Sequence, residues 1–309
     1  MPSTDLVTGV YAAALTPLTG RGQPNLGLFT SHCRWLLDKG CNGIVPLGTT
    51  GEANSLSIED RLSVIDTVAA AEFPEDRVII GTGACAVGDT VRITRHALEH
   101  GYHHVLLLPP FYYKGVSDDG LFAFFSSVID GARDPRLRLY LYHFPKMSAV
   151  PISLELIGRL RAEFGEVVAG LKDSSGDWSN TESILQAFPG FRAFSGSEQF
   201  LSDNMASGGP GCISATTNVT APLAAKVLAS RGQDRETLQH ELTQVRLLLQ
   251  EFPFIPALKQ IMEWHTGELF WRNILPPITH LSPEAETDLR KKISQFGLFQ
   301  HEISLKPQG

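Results

Sequence analysis

From Gly9 to about residue 232, short apolar runs rich in β-branched residues alternate with amphipathic stretches, and they do so eight times. The runs fall at 9–18, 43–48, 77–83, 103–110, 138–145, 167–176, 191–196 and 211–217. Helical patterns follow them. Leu26, Phe29, Cys33, Leu36 and Leu37 mark the first, and Ile58, Leu62, Ile65 and Val68 share one face of a helix over 57–72. Further helices are expected at 89–100, 117–129 and 153–164, and Ser57-Ile58-Glu59-Asp60 reads as a capping box with Asp in place of Glu. A strand that returns through a helix to the same end of a sheet must pair in parallel. Eight such units predict an α/β fold, a (β/α)8 TIM barrel, with an open doubly wound sheet as the runner-up. After 233 the strands stop. Patterns at 238–249, 255–265 and 283–296 predict a C-terminal domain of three helices over 233–309, beside a catalytic barrel over 1–232.

The composition narrows the function classes. With 43% hydrophobic and 19% charged residues in 309, the chain can bury a large core without a metal or disulfide staple. A net charge of −7 without any basic tract speaks against nucleic acid or an anionic membrane as partner. Cys33, Cys41, Cys85 and Cys212 form no CxxC pair, which suits reduced thiols. The opening Met1-Pro2-Ser3-Thr4-Asp5 shows no signal-peptide pattern, and no apolar run approaches the roughly 20 residues of a membrane span. A cytoplasmic location is therefore expected.

In a barrel, chemistry gathers at the C-terminal ends of the strands. The sixth run, Val167-Val168-Ala169-Gly170-Leu171-Lys172-Asp173-Ser174-Ser175-Gly176, delivers a lysine there. Lysine is almost never fully buried unless it is paired or used, and an amine held in a dry site is a candidate nucleophile. The plain alternative leaves the ammonium in water. Tyr142, near the end of the adjacent fifth strand, is the expected proton carrier. Tyr140 shares its side of the strand from a deeper layer. The turn Gly48-Thr49-Thr50-Gly51-Glu52 offers backbone N–H groups and two hydroxyls to a small carboxylate, or it is simply a tight turn. Glu52 reads as a residue that orders this loop.

Other features carry less. Gly81-Thr82-Gly83 lacks the spacing of a dinucleotide fingerprint. His96 and His100 sit one helical turn apart, but on a barrel helix with no third ligand in view, so no metal is expected. His103-His104 open a strand at the stability end of the barrel.

These residues combine into a pattern that resembles the pyruvate-dependent aldolase and lyase family that includes dihydrodipicolinate synthase and N-acetylneuraminate lyase. The similarity runs through GTTGE at 48–52, PPFYY at 109–113, YHFP at 142–145, GLKDSSG at 170–176, SGSE at 195–198, GGPGCIS at 208–214 and LPPITHLS at 275–282. The resemblance implies a homotetramer that uses neither a metal nor an organic cofactor. It implies a covalent imine between Lys172 and pyruvate, with Tyr142 relaying protons. Thr49 and Thr50 would hold the carboxylate and assist the relay, and Gly196 and Ile213 would line the pyruvate pocket. A tyrosine from a neighbouring subunit would complete the relay. Tyr112 is the assignment, with Tyr113 left open by a loop one residue longer than the synthase pattern.

Departures from the pattern bear on the second substrate, a small aldehyde or keto acid. Met147 stands where the synthases place an arginine, and Lys146 is not its geometric equivalent. His143 replaces an asparagine, and Asp173-Ser174 replaces Glu-Ala. His143 and Met147 are thus expected beside the second substrate. These changes favour a 2-keto-4-hydroxy, sugar-acid-like substrate. Condensation with aspartate semialdehyde, as in 4-hydroxy-tetrahydrodipicolinate synthase, is the alternative. A non-catalytic keto-acid-binding barrel is a further one.

Overall fold

In the computed structural model, which describes residues 7–298, the apolar runs become short parallel strands. They are β1 (Gly9–Ala12), β2 (Gly43–Ile44), β3 (Ile80–Gly81), β4 (His104–Leu107), β5 (Arg138–His143), β6 (Val168–Asp173), β7 (Arg192–Ser195) and β8 (Gly211–Ser214). The helices in chain order are α1 (Leu26–Asp38), α2 (Ile58–Ala70), α3 (Val87–Glu99), α4 (Asp118–Ala132), α5 (Pro145–Ser148) and α6 (Leu154–Phe164). They continue with α7 (Trp178–Ala187), α8 (Leu201–Ala206), α9 (Thr217–Ala229), α10 (Gly232–Leu249), α11 (Phe254–Thr266) and α12 (Pro283–Ile293).

The sheet order is β2-β1-β8-β7-β6-β5-β4-β3, every pairing parallel. The two ends meet where Ile79 N–H donates to the Ile44 carbonyl at 3.0 Å and Gly81 N–H to the Pro46 carbonyl at 2.9 Å. The fold is a (β/α)8 barrel. Side chains fill it: Tyr11, Val45, Ile79, Leu106, Tyr140, Phe194 and Ile213 pack in one interior cluster. Alternate strand positions point outward against the helices. Ser57, Ser117 and Ser153 cap α2, α4 and α6, each accepting a backbone N–H with its hydroxyl, a contribution of about 1 kcal/mol per cap. Among the described residues no helix is long and apolar enough to cross a membrane.

The strands are shorter than the apolar runs that predict them. Past the end of β1 at Ala12, Ala13 and Ala14 N–H still donate to the Ser214 and Val45 carbonyls at 2.9 and 3.1 Å, Leu15 N–H donates instead to Asn218 Oδ1 at 3.0 Å, and Leu18 bridges antiparallel to Pro24. The one-turn helix α5 was not expected. α10 begins at Gly232 rather than 238, since its first turns bury nothing and leave no apolar period to read. α10, α11 and α12 pack Leu249, Leu258, Ile261 and Leu289 around Trp271, together with Leu15 and Val219 of the barrel side.

Candidate active site

Tyr142 of β5 pairs in register with Lys172 of β6. Both side chains are buried, and Lys172 Nζ lies 4.5 Å from the centroid of the Tyr142 ring. The Tyr142 hydroxyl is 3.4 Å from Thr49 Oγ1. One layer below, Tyr140 stands opposite Gly170. A Cβ on Gly170 would lie 2.6 Å from the Tyr140 ring and 2.5 Å from the Arg192 carbonyl, so only glycine admits this floor beneath Lys172.

The turn after β2 is held from two sides. Leu47 (φ 60°) and Glu52 (φ 56°) adopt left-handed backbone at its flanks, a strain that persists where surrounding structure fixes it. Glu52 supplies part of that fixation. Its carboxylate pairs with Lys259 of α11, both side chains fully buried, and accepts the Leu275 N–H at 2.8 Å. Lys259 also donates to the Asn273 carbonyl at 2.8 Å. Glu52 therefore orders the loop. Among the described residues the backbone N–H groups of Thr49 and Thr50 meet no acceptor, which leaves two donors for an incoming carboxylate.

A cavity of about 460 Å³ opens above Lys172 and is lined by Thr49, Thr50, Tyr142, Lys172, Gly196 and Met147 among others. Gly196 N–H donates to the Asp173 carbonyl at 2.6 Å, and a Cβ there would fall 2.2 Å from Ser174 Oγ. The Asp173 carboxylate is committed to the turn: it accepts from Ser175 N at 2.8 Å, Asn180 Nδ2 at 2.8 Å and Thr181 Oγ1 at 2.7 Å.

Three expected residues stand apart. His143 does not line the cavity. Strand alternation turns it outward, where its Nδ1 accepts the Ile152 N–H at 3.0 Å and burial lowers its pKa. It braces the chain after α5. Ile213 sits fully buried in the interior cluster that holds Tyr142 and is not among the residues lining the cavity. Tyr112 is 75% exposed on the loop after β4 and does not reach the cavity of its own chain; Tyr113 is 73% exposed.

The cavity also contains groups that pattern reading missed. Arg246 of α10 reaches in from outside the barrel. Its Nη1 donates to Ser214 Oγ and Thr216 Oγ1, each at 3.3 Å, and lies 3.8 Å from the fully buried Glu198 carboxylate. Ser214, Thr216 and Thr220 donate their hydroxyls to that carboxylate. Burial lowers the Arg246 pKa, opposed by Glu198 and by Tyr142. A polar residue on a mostly exposed helix gives no periodic signal of this. The structure also corrects the reading of His96 and His100: Asp66 of α2 lies 2.6 Å from His96 Nε2 and 3.3 Å from His100 Nε2.

A second cavity, about 650 Å³, lies at the opposite end of the strands around Tyr11, Asp76, Arg77 and Arg192. Burial pushes its thiol, Cys41, up to about 12 and raises the Tyr11 phenol as well. Neither group suits proton transfer or nucleophilic attack near neutrality.

The sequence profile of the Dihydrodipicolinate synthetase family matches residues 6–296. The chain belongs to the dihydrodipicolinate synthetase family. Within it, the chain is 35% identical over 285 residues to an uncharacterized DapA-like lyase of Chloroflexus aurantiacus, covering 91% of this chain and 94% of that one. It is 33% identical over 226 residues to a 4-hydroxy-tetrahydrodipicolinate synthase of Agrobacterium fabrum, covering 72% and 74%. The crystal structure of dihydrodipicolinate synthase from Agrobacterium tumefaciens superposes with a TM-score of 0.84 at 31% identity, over 95% of this chain and 98% of that one. YagE, a prophage protein of E. coli crystallised with pyruvate, shares the fold with a TM-score of 0.86 at 24% identity, over 94% and 99%. As a member of this family the protein is an enzyme, a carbon–carbon lyase.

Proposed function

We propose that the protein is a Schiff-base-forming aldolase that cleaves or makes a 2-keto-4-hydroxy acid with pyruvate as the keto component. The observation that carries this reading is the juxtaposition of Lys172, Tyr142 and Thr49 at the ends of β6, β5 and β2. Thr49 and Thr50 N–H groups hold the keto-acid carboxylate. The Lys172 amine adds to the keto carbon, and loss of water leaves an iminium. In cleavage, Tyr142 accepts the proton of the 4-hydroxyl as it passes its own to Thr49 Oγ1, and the bond between the third and fourth carbons breaks. The aldehyde leaves, and the electron pair enters the iminium to give an enamine. The same hydroxyl pair returns that proton to the third carbon of the enamine, and addition of water to the imine releases pyruvate and the free amine. Synthesis runs the same steps backward.

Tyr112 enters this scheme only from another copy of the chain, so the reading includes an assembly, a homotetramer, in which it reaches a neighbouring cavity. The test is a panel of 2-keto-4-hydroxy acids, 2-keto-3-deoxy sugar acids included, assayed for pyruvate release. Release from at least one supports the reading; inertness of all, in both directions, contradicts it. Condensation with aspartate semialdehyde is the second reading, favoured by relatives that bear the synthase name and opposed by Met147.

A further inference from the structure

Lys172, Tyr142 and the Thr49–Thr50 turn account for the pyruvate half of a substrate. The rest of the cavity faces whatever lies beyond the bond that breaks, and part of that wall comes from α10 and the segment entering α11: Arg246, Leu247, Gln250, Phe252, Phe254 and Ile255. The wall is largely apolar and carries one buried cation. The Arg246 side chain keeps 14% of its exposure while lining the cavity.

Its engagement is one-sided. Nη1 faces Ser214, Thr216 and Glu198, and the guanidinium carbon sits 4.6 Å over the Phe254 ring. Nε is buried without an acceptor. Among the described residues Nη2 has no hydrogen-bond partner either. A guanidinium has five N–H donors in a planar fork, and a buried donor left unmade costs more than a typical hydrogen bond returns. The group is thus held rigidly from behind, with part of its fork unsatisfied at a cavity wall. Bidentate acceptance by a carboxylate or phosphate is what such a fork fits.

We propose that Arg246 is a specificity-determining residue that receives an anionic group, a carboxylate or a phosphate, on the part of the substrate beyond the aldol bond. This rests on the Schiff-base reading above. It also gives Met147 a context: a methionine 63% exposed on the rim cannot bind an anion, and the guanidinium reaches the same cavity from another element. Lys146, exposed on the rim near Gly176, is a flexible, hydrated point charge and a poorer reader of a planar anion.

A plainly structural Arg246, tying α10 to the barrel through Glu198, makes a different prediction, and one experiment separates them. Two 2-oxo acids of matched length, 2-oxoadipate with an anionic tail and 2-oxohexanoate with a neutral one, are trapped on the protein with borohydride. The half-saturating concentrations are compared, with pyruvate as the reference in every variant. The proposal expects 2-oxoadipate to saturate at about 10- to 100-fold lower concentration. That ratio falls toward one in Arg246→Met and is partly retained in Arg246→Lys. No preference in the wild type overturns the proposal. So does an unchanged ratio in Arg246→Met with both acids weakened alike, and so does a collapse of the ratio in Lys146→Met instead. If pyruvate itself leaves no adduct on the wild type, the Schiff-base reading fails first. A pyruvate adduct without charge discrimination removes Arg246 alone. Inorganic phosphate as a competitor against 2-oxoadipate shows whether the site takes phosphate as well as carboxylate.

Discussion

Lys172 and Tyr142 stand at the same level on adjacent strands, with the lysine nitrogen 4.5 Å from the centre of the phenol ring. Parallel pairing in register puts them there, and Phe144, whose ring lies 5.7 Å from that of Tyr142, keeps the phenol in place. A hydroxyl so placed, 3.4 Å from Thr49 Oγ1, can hand protons on. Tyr142→Phe is expected to lower kcat by about 100- to 10,000-fold with a much smaller change in the KM for pyruvate. A rise in KM with kcat preserved would make Tyr142 a binding group only.

Gly196 is expected to tolerate no side chain. An added Cβ meets Ser174 Oγ at 2.2 Å and the Asp173 carbonyl at 2.7 Å, the turn that follows Lys172 directly. A displacement of an ångström at a reacting group costs about 100-fold in rate. Gly196→Ala should show a loss of that order in pyruvate adduct formation, with the circular dichroism of the folded barrel. Wild-type rates in that variant would mean that the turn moves freely without consequence for Lys172.

The buried Glu52–Lys259 pair is expected to dominate the stability of the strand 2 turn. Removing one partner of a buried pair strands the other charge, a cost of about 3–5 kcal/mol. Lys259→Met should lose that much in chemical denaturation, and the double variant Glu52→Gln, Lys259→Met should lose less than the sum of the two single ones. Additive losses would show that the pair is not coupled.

Acid should weaken the fold in a defined window. Burial lowers His32 and His104 to about 4 from the ordinary 6.5. The folded protein keeps both neutral while the unfolded chain binds protons near pH 6.5, so unfolding takes up protons below that value. Stability is therefore full above pH 6.5 and falls as the pH drops toward 4, by at most about 3 kcal/mol for each histidine. Urea midpoints measured from pH 8 to pH 4.5 should show this fall, with a shallower slope in His104→Gln. An unchanged slope would assign the acid sensitivity to other groups.

How much of this was legible beforehand depended on periodicity. Eight alternations of β-rich and helical patterns specify a barrel, and strand ends then single out Lys172, Tyr142 and Thr49. Alternation also foretells that His143, one residue after Tyr142, points away from the interior, yet family position alone placed it beside the substrate. Arg246 and Lys259 were hidden for a different reason. Each lies on a helix after the barrel and meets its partner, Glu198 or Glu52, across long sequence separation. No local pattern encodes such a meeting. The Gly81-Thr82-Gly83 stretch shows the converse: a Cβ on Gly81 would sit 2.1 Å from the Leu47 carbonyl, so its glycine serves the close approach of the strand 2 turn.

The central claim is that Lys172 is the Schiff-base lysine. Borohydride reduction in the presence of pyruvate, followed by peptide mass analysis, tests it most directly. The account predicts one reduced pyruvate adduct per chain, on the peptide carrying Lys172, and none in Lys172→Ala. An unmodified chain, or an adduct on Lys146, Lys259 or another lysine, would contradict it.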